Sequence, residues 1–150
     1  MAHELGGEGG ADMEVAAAFD VGATKGGREG GEAIHGAPNN THIFAQAPPT
    51  GVSVLRGPTL DGIGRYLEDV IEESDAPVCD VARVLRETRT DVLICYLPVG
   101  SQPAAACYME HALAAHCRVV TCLPAFHPPP PASRAASDAP TLAPHGFPPS

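Results

Sequence analysis

One short apolar segment, Asp91 to Leu97, constrains the fold of this chain more than any other feature. It reads Asp-Val-Leu-Ile-Cys-Tyr-Leu, and apolar residues occupy both of its alternating faces. That pattern is typical of a central strand in a parallel sheet, because helices cover such a strand on both sides. We therefore predict a buried parallel strand here, within a fold in which strands alternate with helices.

The segments on either side fit this alternation. Apolar or alternating runs between turn signals predict strands, and apolar residues at helical spacing predict helices. The order builds βαβ units with right-handed crossovers, so we predict an α/β fold of the Rossmann-like, doubly wound parallel type. The other predicted strands are Glu14 to Phe19, Ile43 to Ala45, Val52 to Leu55 and Arg118 to Cys122; the predicted helices are a weak turn over Glu32 to His35, Leu60 to Glu73, Pro77 to Thr90 and a helix that Ser101 caps.

The two ends of the chain differ from its middle in composition. The first 31 residues hold nine of the sixteen glycines, and His127 to Ser150 hold eight of the sixteen prolines. Such segments bury little apolar area for each residue that is ordered. We expect a disordered glycine-rich N-terminus over residues 1–12, a folded domain over 13–126 and a disordered proline-rich tail over 127–150.

Charge and cysteine content exclude several classes of function. The formal net charge is −9, which repels phosphate backbones, so we expect no nucleic-acid partner. The sequence has no apolar run of about 18 residues that would span a membrane, and its N-terminus does not resemble a signal peptide. Five cysteines without paired spacing predict free thiols in the reducing cytoplasm.

Asp20 is the first candidate binding residue, because it ends a predicted strand and precedes a glycine-rich loop. In dinucleotide-binding folds, an acid at the end of the second strand accepts hydrogen bonds from the adenosine ribose. An ordinary loop aspartate is the alternative. Gly6 to Gly10 is glycine-rich but follows no predicted strand, so it lacks the context of a phosphate-binding loop.

The turn Leu97 to Ser101 is the second candidate. It lies where a strand ends and a helix begins, so its backbone N–H groups either bind an anion or are simply capped by Ser101. The histidines do not predict a metal site, because His111 and His116 lie about 140° apart around a helix and the chain has no Cys-x-x-Cys. Pro128 to Pro131 suit either a proline-recognising partner or an unselected tail.

The middle of the chain resembles inositol-3-phosphate synthase of the shorter prokaryotic type, from about Met13 to Phe126. The most specific runs are Arg56-Gly-Pro-Thr-Leu-Asp-Gly-Ile-Gly64 and Tyr96-Leu-Pro-Val-Gly-Ser101. The other matching runs are Val15 to Val21, Asn39 to Thr41, Ile71 to Asp75 and Leu123 to Phe126.

The resemblance implies an NAD-dependent isomerase that converts glucose 6-phosphate to inositol 3-phosphate for inositol and phospholipid synthesis, and that forms homo-oligomers. Asp20 would bind the adenosine ribose of NAD, and Glu29 matches an NAD-contacting aspartate of the family. Thr88 would contact the cofactor through its backbone. Ser101 lies in the loop that faces the nicotinamide end, and Tyr108 matches a tyrosine near the cofactor.

The chain also departs from the family pattern. The family's first strand, its Gly-x-Gly turn and its lysine-rich catalytic domain are not matched, and the single lysine here is Lys25. We therefore expect an incomplete sheet without its first strand, no catalytic residue, and a fragment that is inactive alone. The alternative is a non-enzymatic subunit or interaction protein that joins a full-length synthase or binds partners through its proline-rich tail.

Overall fold

The computed structural model describes residues 13–39, 42–64, 67 and 69–122. Strands and helices alternate along these residues, which confirms the α/β class predicted from the sequence. The predicted tails, 1–12 and 127–150, lie outside the described residues, as does the run Leu123 to Phe126. In chain order the elements are β1 (Ala18–Asp20), α1 (Gly30–Ala33), β2 (Val54–Arg56), α2 (Val81–Glu87), β3 (Val92–Cys95), α3 (Gln102–Ala114) and β4 (Arg118–Thr121).

The strands form two separate parallel pairs. β1 pairs with β2, so that Asp20 lies opposite Arg56, and β3 pairs with β4, so that Val92 lies opposite Arg118. The predicted parallel pairing is therefore confirmed. The two pairs are not hydrogen-bonded to each other within the described part of the chain, so the strands do not form one continuous sheet.

A small core under α2 and α3 connects the two pairs. Its buried members are Val81 and Leu85 of α2, Tyr108 and Ala112 of α3, and Cys117. Phe19 of β1, together with Leu93 of β3 and Val119 of β4, packs against this cluster. Burying a side chain such as Leu85 stabilises the fold by about 1.5–3 kcal/mol. Because both strand pairs contribute side chains to this core, it holds both pairs against the same helices.

Strand β3 is not buried on both faces, and that prediction is wrong. Cys95 is buried and Leu93 packs on the core, but Val92 is 40% exposed and Ile94 is 49% exposed. The alternation follows from the two-residue period of a strand, which turns successive side chains to opposite faces. The helices pack on the face that holds Leu93, and the face that carries Val92 and Ile94 is open to solvent.

Two other predicted elements are absent from the described residues. The described residues of the predicted helix Leu60 to Glu73, namely 60–64, 67 and 69–73, contain turns and no helix. Leu60 and Gly64 have φ angles of +45° and +74°, which a right-handed helix does not accommodate. The predicted strand at Ile43 to Ala45 has no partner strand in that region. Among the residues described, no helix is both long and apolar enough to cross a membrane.

The glycine-rich loop after β1 closes the edge of β2 that faces away from β1. The backbone N–H of Val54 donates to the Arg28 carbonyl, and that of Gly27 donates to the Val54 carbonyl, each over 2.8 Å. Gly31 allows this close approach, because a Cβ there would lie 2.5 Å from the Pro48 carbonyl oxygen. The glycines of this loop therefore let it pack tightly against the following segment.

Candidate functional site

The carboxyl ends of β1 and β2 meet at one edge, where polar side chains collect. The segment 71–75 lies against this edge, because the N–H of Ser74 donates to the Val21 carbonyl over 2.9 Å and that of Ala23 donates to the Glu72 carbonyl over 2.8 Å. Ligands of open α/β sheets bind beyond the carboxyl ends of the strands. A ligand is therefore expected to bind at this edge.

Asp20 ends β1 with a carboxylate that is only partly engaged. Its Oδ1 accepts the backbone N–H of Gly22 over 2.8 Å, and its Oδ2 lies 3.4 Å from the Lys25 Nζ. The side chains of Asp20 and Lys25 are each 32% exposed, so this ion pair contributes little to stability. The carboxylate is oriented by the turn and retains exposed lone pairs that can accept hydrogen bonds from hydroxyl groups.

Arg56 ends β2 and organises the neighbouring loops. Its Nη1 donates to the Ala76 carbonyl over 2.6 Å, and its Nη2 donates to the Glu73 Oε1 over 2.7 Å. The Thr59 hydroxyl donates to the same carboxylate oxygen, and this bond, followed by the Arg56 bond, lowers the pKa of Glu73. The Arg56 Nε is buried without a hydrogen-bond partner in the described structure. Arg56 thus joins the end of β2 to the segment 73–76.

The turn between β3 and α3 is held by Asp61, not by its own serine. The Asp61 Oδ1 accepts the backbone N–H of Ala104 over 2.8 Å, and the Asp61 carbonyl accepts the Ser101 hydroxyl over 3.1 Å. Ser101 is the N-cap residue of α3, but its side chain makes no capping hydrogen bond. The prediction that Ser101 caps this helix through its side chain is therefore wrong, because Asp61 occupies that role.

The two sequence runs that are most characteristic of the family lie against each other at this turn. A Cβ on Gly62 would lie 3.4 Å from the Ala104 Cβ and 3.5 Å from a Leu97 methyl, and a Cβ on Gly64 would lie 3.3 Å from Pro98. The run Arg56 to Gly64 therefore packs directly on the turn that follows β3. These runs, separate in sequence, form one structural unit at the carboxyl edge.

Glu29 clamps the glycine-rich loop to the segment before β2. Its Oε1 accepts the N–H and the hydroxyl of Thr50, each over 2.5 Å, and the N–H of Gly51 over 3.0 Å. Its Oε2 accepts the N–H of Gly31 over 2.8 Å at the start of α1. The Thr50 hydroxyl bond is the main reason that the pKa of Glu29 is lowered. Both carboxylate oxygens are engaged within the protein, and contact with a cofactor stays a prediction.

Thr88 lies away from the polar edge, whereas the buried Tyr108 lies beneath it, with its hydroxyl against Gly57. Thr88 follows α2 and its hydroxyl donates to the Val84 carbonyl over 2.8 Å, at the end of the helix that leads into β3. Tyr108 is buried in the core, with its ring 6.3 Å from that of Phe19. Burial raises the pKa of Tyr108 above its usual range. Asp20 thus ends β1 and Ser101 follows the end of β3, in different strand pairs, whereas Thr88 lies before the start of β3.

Three residues of this edge were missed as contributors to the site, namely Arg56, Asp61 and Glu73. Arg56 and Asp61 lie within a family run, but their partners are distant in sequence, and no local pattern identifies them. Among the described residues, no group of three or more histidine, cysteine, aspartate or glutamate side chains could hold a metal ion. The five cysteines are free.

The sequence is similar to several bacterial enzymes. It is 51% identical over 115 residues to the inositol-3-phosphate synthase of Mycolicibacterium smegmatis, which covers 77% of this chain and 32% of that protein. The enzymes of the same name from Mycobacterium tuberculosis and Corynebacterium glutamicum are 49% and 45% identical over the same length. The chain thus spans about a third of the length of the curated relatives it matches.

A solved structure also matches. The crystal structure of Ari2 superimposes with a TM-score of 0.64 and 31% sequence identity, over 82% of this chain and 34% of that one. No protein-family model matches the sequence.

Proposed function

Because this chain belongs to the inositol-3-phosphate synthase family over 115 residues, we propose that residues 13–126 form part of a Rossmann-like NAD-binding domain. In this interpretation β1 and β2 are the second and third strands of a doubly wound sheet, and β3 and β4 are the fourth and fifth. The place between β1 and β3 then belongs to one further parallel strand. NAD would bind across the carboxyl edge of the strands.

The observation that carries this proposal is the geometry of Asp20. Its carboxylate lies at the end of a parallel strand, it is oriented by the N–H of Gly22, and it remains partly exposed. These features suit hydrogen bonds from the two hydroxyls of the adenosine ribose. The residues present therefore fit the adenosine end of NAD, with Asp20 as the ribose ligand and Gly22 as its support.

The remaining candidates have supporting parts in this proposal. Glu29 holds the glycine-rich loop beside the adenosine end, and Ser101 belongs to the turn that faces the nicotinamide end. Tyr108 supports β1 and the loop after β2 from below, and Thr88 contacts no part of the cofactor through its side chain. When bound, NAD supplies a hydride acceptor for oxidation of the sugar and returns the hydride later.

A titration of the purified 150-residue chain with NAD, followed by calorimetry, tests this role. Asp20→Asn removes the charge and keeps the shape of the side chain. A hydrogen bond to a charged group contributes about 1.5–3 kcal/mol, so the variant should bind NAD at least tenfold more weakly. Asp91→Asn is the matched control, because this exposed aspartate lies before the amino end of β3 and not at the carboxyl edge, and it should leave affinity unchanged. Equal affinities of the Asp20 variant and the parent would refute the proposal.

We also propose that this protein takes part in the activity of its whole relatives, the conversion of glucose 6-phosphate to inositol 3-phosphate in the cytoplasm. We propose that the 150-residue chain alone does not catalyse it. Oxyanions formed during enolisation need positioned cations, and Lys25, the single lysine, is paired with Asp20. Inositol phosphate formed from glucose 6-phosphate and NAD by the purified chain would contradict this.

A second candidate function is association with a longer synthase chain. The observation that favours it is the exposed apolar face of β3 and β4, where Val92, Ile94 and Val120 are 40%, 49% and 49% exposed. Contiguous apolar surface of this kind often marks a protein–protein contact. Co-purification of the chain with a full-length synthase of the family would support this role. Unchanged co-purification of an Ile94→Lys variant would count against this face as the contact.

A further inference from the structure

The first turn of α3 has few free hydrogen-bond donors. Pro103 has no backbone N–H, the N–H of Ala105 donates to the Ser101 carbonyl over 3.0 Å, and the N–H of Ala104 donates to the Asp61 carboxylate over 2.8 Å. That leaves the backbone N–H of Gln102 in this turn. A helix N-terminus that binds phosphate needs several such donors directed at the ligand. The sequence of α3 and the position of Asp61 together remove most of them.

Asp61 also adds a negative charge at this end of the helix. The N-terminus of a helix carries a partial positive charge, which attracts anions. The Asp61 carboxylate lies directly on it and offsets that charge. The same residue accepts the hydroxyl of Ser101, which is 1% exposed, through its backbone carbonyl. Asp61 therefore fixes both the start of α3 and the last residue of the preceding turn.

We infer that Asp61 is a positioning residue that closes the N-terminus of α3 to phosphate, so that the turn Leu97 to Ser101 receives an uncharged part of a ligand. The identity of that ligand rests on the proposed function: the turn receives the nicotinamide end of NAD and not its pyrophosphate. Exclusion of anions from this helix end does not depend on NAD, so it can be measured separately.

The test uses inorganic pyrophosphate as the probe and the backbone amide signals of Gln102 and Ala104 as the readout, in ¹⁵N-labelled full-length chain. In the parent, pyrophosphate should leave both signals in place at millimolar concentration. Asp61→Ala frees the Ala104 donor and removes the charge, so binding at these amides should become at least fivefold tighter. Asp61→Asn removes the charge but keeps an acceptor for Ala104, so it should give a smaller gain.

Asp80 supplies a matched control, because its Oδ1 caps α2 through the N–H of Arg83 over 2.9 Å. Asp80→Ala loses an equivalent cap and should lower the urea midpoint in a similar way, without any new response to pyrophosphate at α3. If Asp61→Ala does not fold, Asp61→Asn decides the question, since it retains the capping acceptor. Equal pyrophosphate responses of the parent and the folded Asp61 variants would overturn the inference.

A parallel NAD titration separates this inference from the proposed function. Asp61→Ala should weaken NAD binding, because the turn loses its support, and Asp61→Asn should restore it, because the hydrogen bond to Ala104 returns. Failure of the parent to bind NAD would refute the proposed function and leave the pyrophosphate result to decide the role of Asp61. Tighter NAD binding by Asp61→Ala would show that the turn accepts the pyrophosphate after all.

Discussion

A single methyl group added at Gly57 should destabilise this fold strongly. A Cβ at that position would lie 1.9 Å from the Tyr108 hydroxyl oxygen and 3.0 Å from the ring carbon that bears it. Tyr108 is only 7% exposed and packs between Phe19 and the α2 side chains, so its ring has little room to withdraw. Overpacking of this kind costs about 1–3 kcal/mol. We therefore expect Gly57→Ala to lower the free energy of unfolding by about 2 kcal/mol.

Urea denaturation followed by circular dichroism measures this effect. For a chain of this size the slope is about 1–2 kcal/mol per molar urea, so the midpoint should fall by about 1–2 M. Gly26→Ala is the matched control, because the nearest atom to a Cβ there is at 3.4 Å and its midpoint should change little.

A double variant isolates the contact itself. Tyr108→Phe removes the oxygen that a Cβ at Gly57 would meet, so it should recover about 1 kcal/mol or more of the loss when combined with Gly57→Ala. Strictly additive effects of the two substitutions, or a Gly57→Ala midpoint equal to that of the parent, would refute the placement of Tyr108 beneath β2.

Three further predictions concern titration and the open face of the sheet. Hydrogen bonds lower the folded pKa of Glu29, so its contribution to stability is present above the ordinary value of 4.5 and is lost as pH falls through the folded pKa. Between pH 6 and 3 the urea midpoint of Glu29→Gln should therefore fall less steeply than that of the parent. Burial raises the pKa of Tyr108, so its contribution to the free energy of unfolding is present below pH about 10 and is lost as pH rises towards the folded pKa. Because Tyr108 then stays protonated in the folded chain, alkaline titration followed at 295 nm should give the same absorbance for the parent and Tyr108→Phe until the chain unfolds. Ile94→Thr should change the free energy of unfolding, measured by urea denaturation, by about 0.5 kcal/mol or less. A loss above about 2 kcal/mol would mean that the face of β3 that carries Ile94 is covered.

The sequence predicted the helices and strands whose signals are local. The apolar spacing of Val78, Val81, Ala82 and Leu85 predicted a helix from Pro77 to Thr90, and α2 forms within it from Val81 to Glu87, with Val78 exposed outside it. The turn before Ser101, with Pro103 in the first turn, predicted α3. The short apolar runs gave the parallel strands. In each case the residues that decide the element lie within one or two turns of one another, so a single-chain pattern suffices.

Tertiary contacts account for what was not predicted. Asp61 and Ser101 are 40 residues apart, and no local pattern reveals that one replaces the other as the cap of α3. The turns over Leu60 to Gly64 depend on positive φ angles at Leu60 and Gly64. They also depend on the close packing of Gly62 on Ala104 and of Gly64 on Pro98. Ile94 is exposed because the helices cover only the opposite face of β3. The apolar pattern of β3 is compatible with helices on one face or on both faces.

Discrimination between NAD and NADP tests the proposed site most directly. The 2′-phosphate of NADP would meet the Asp20 carboxylate, so like-charge repulsion should oppose its binding. We predict that the parent chain binds NAD at least tenfold more tightly than NADP in matched calorimetric titrations, and that Asp20→Asn largely removes this difference. Equal affinity of the parent for the two cofactors, or no binding of either, would contradict a ribose-binding role for Asp20 at the end of β1.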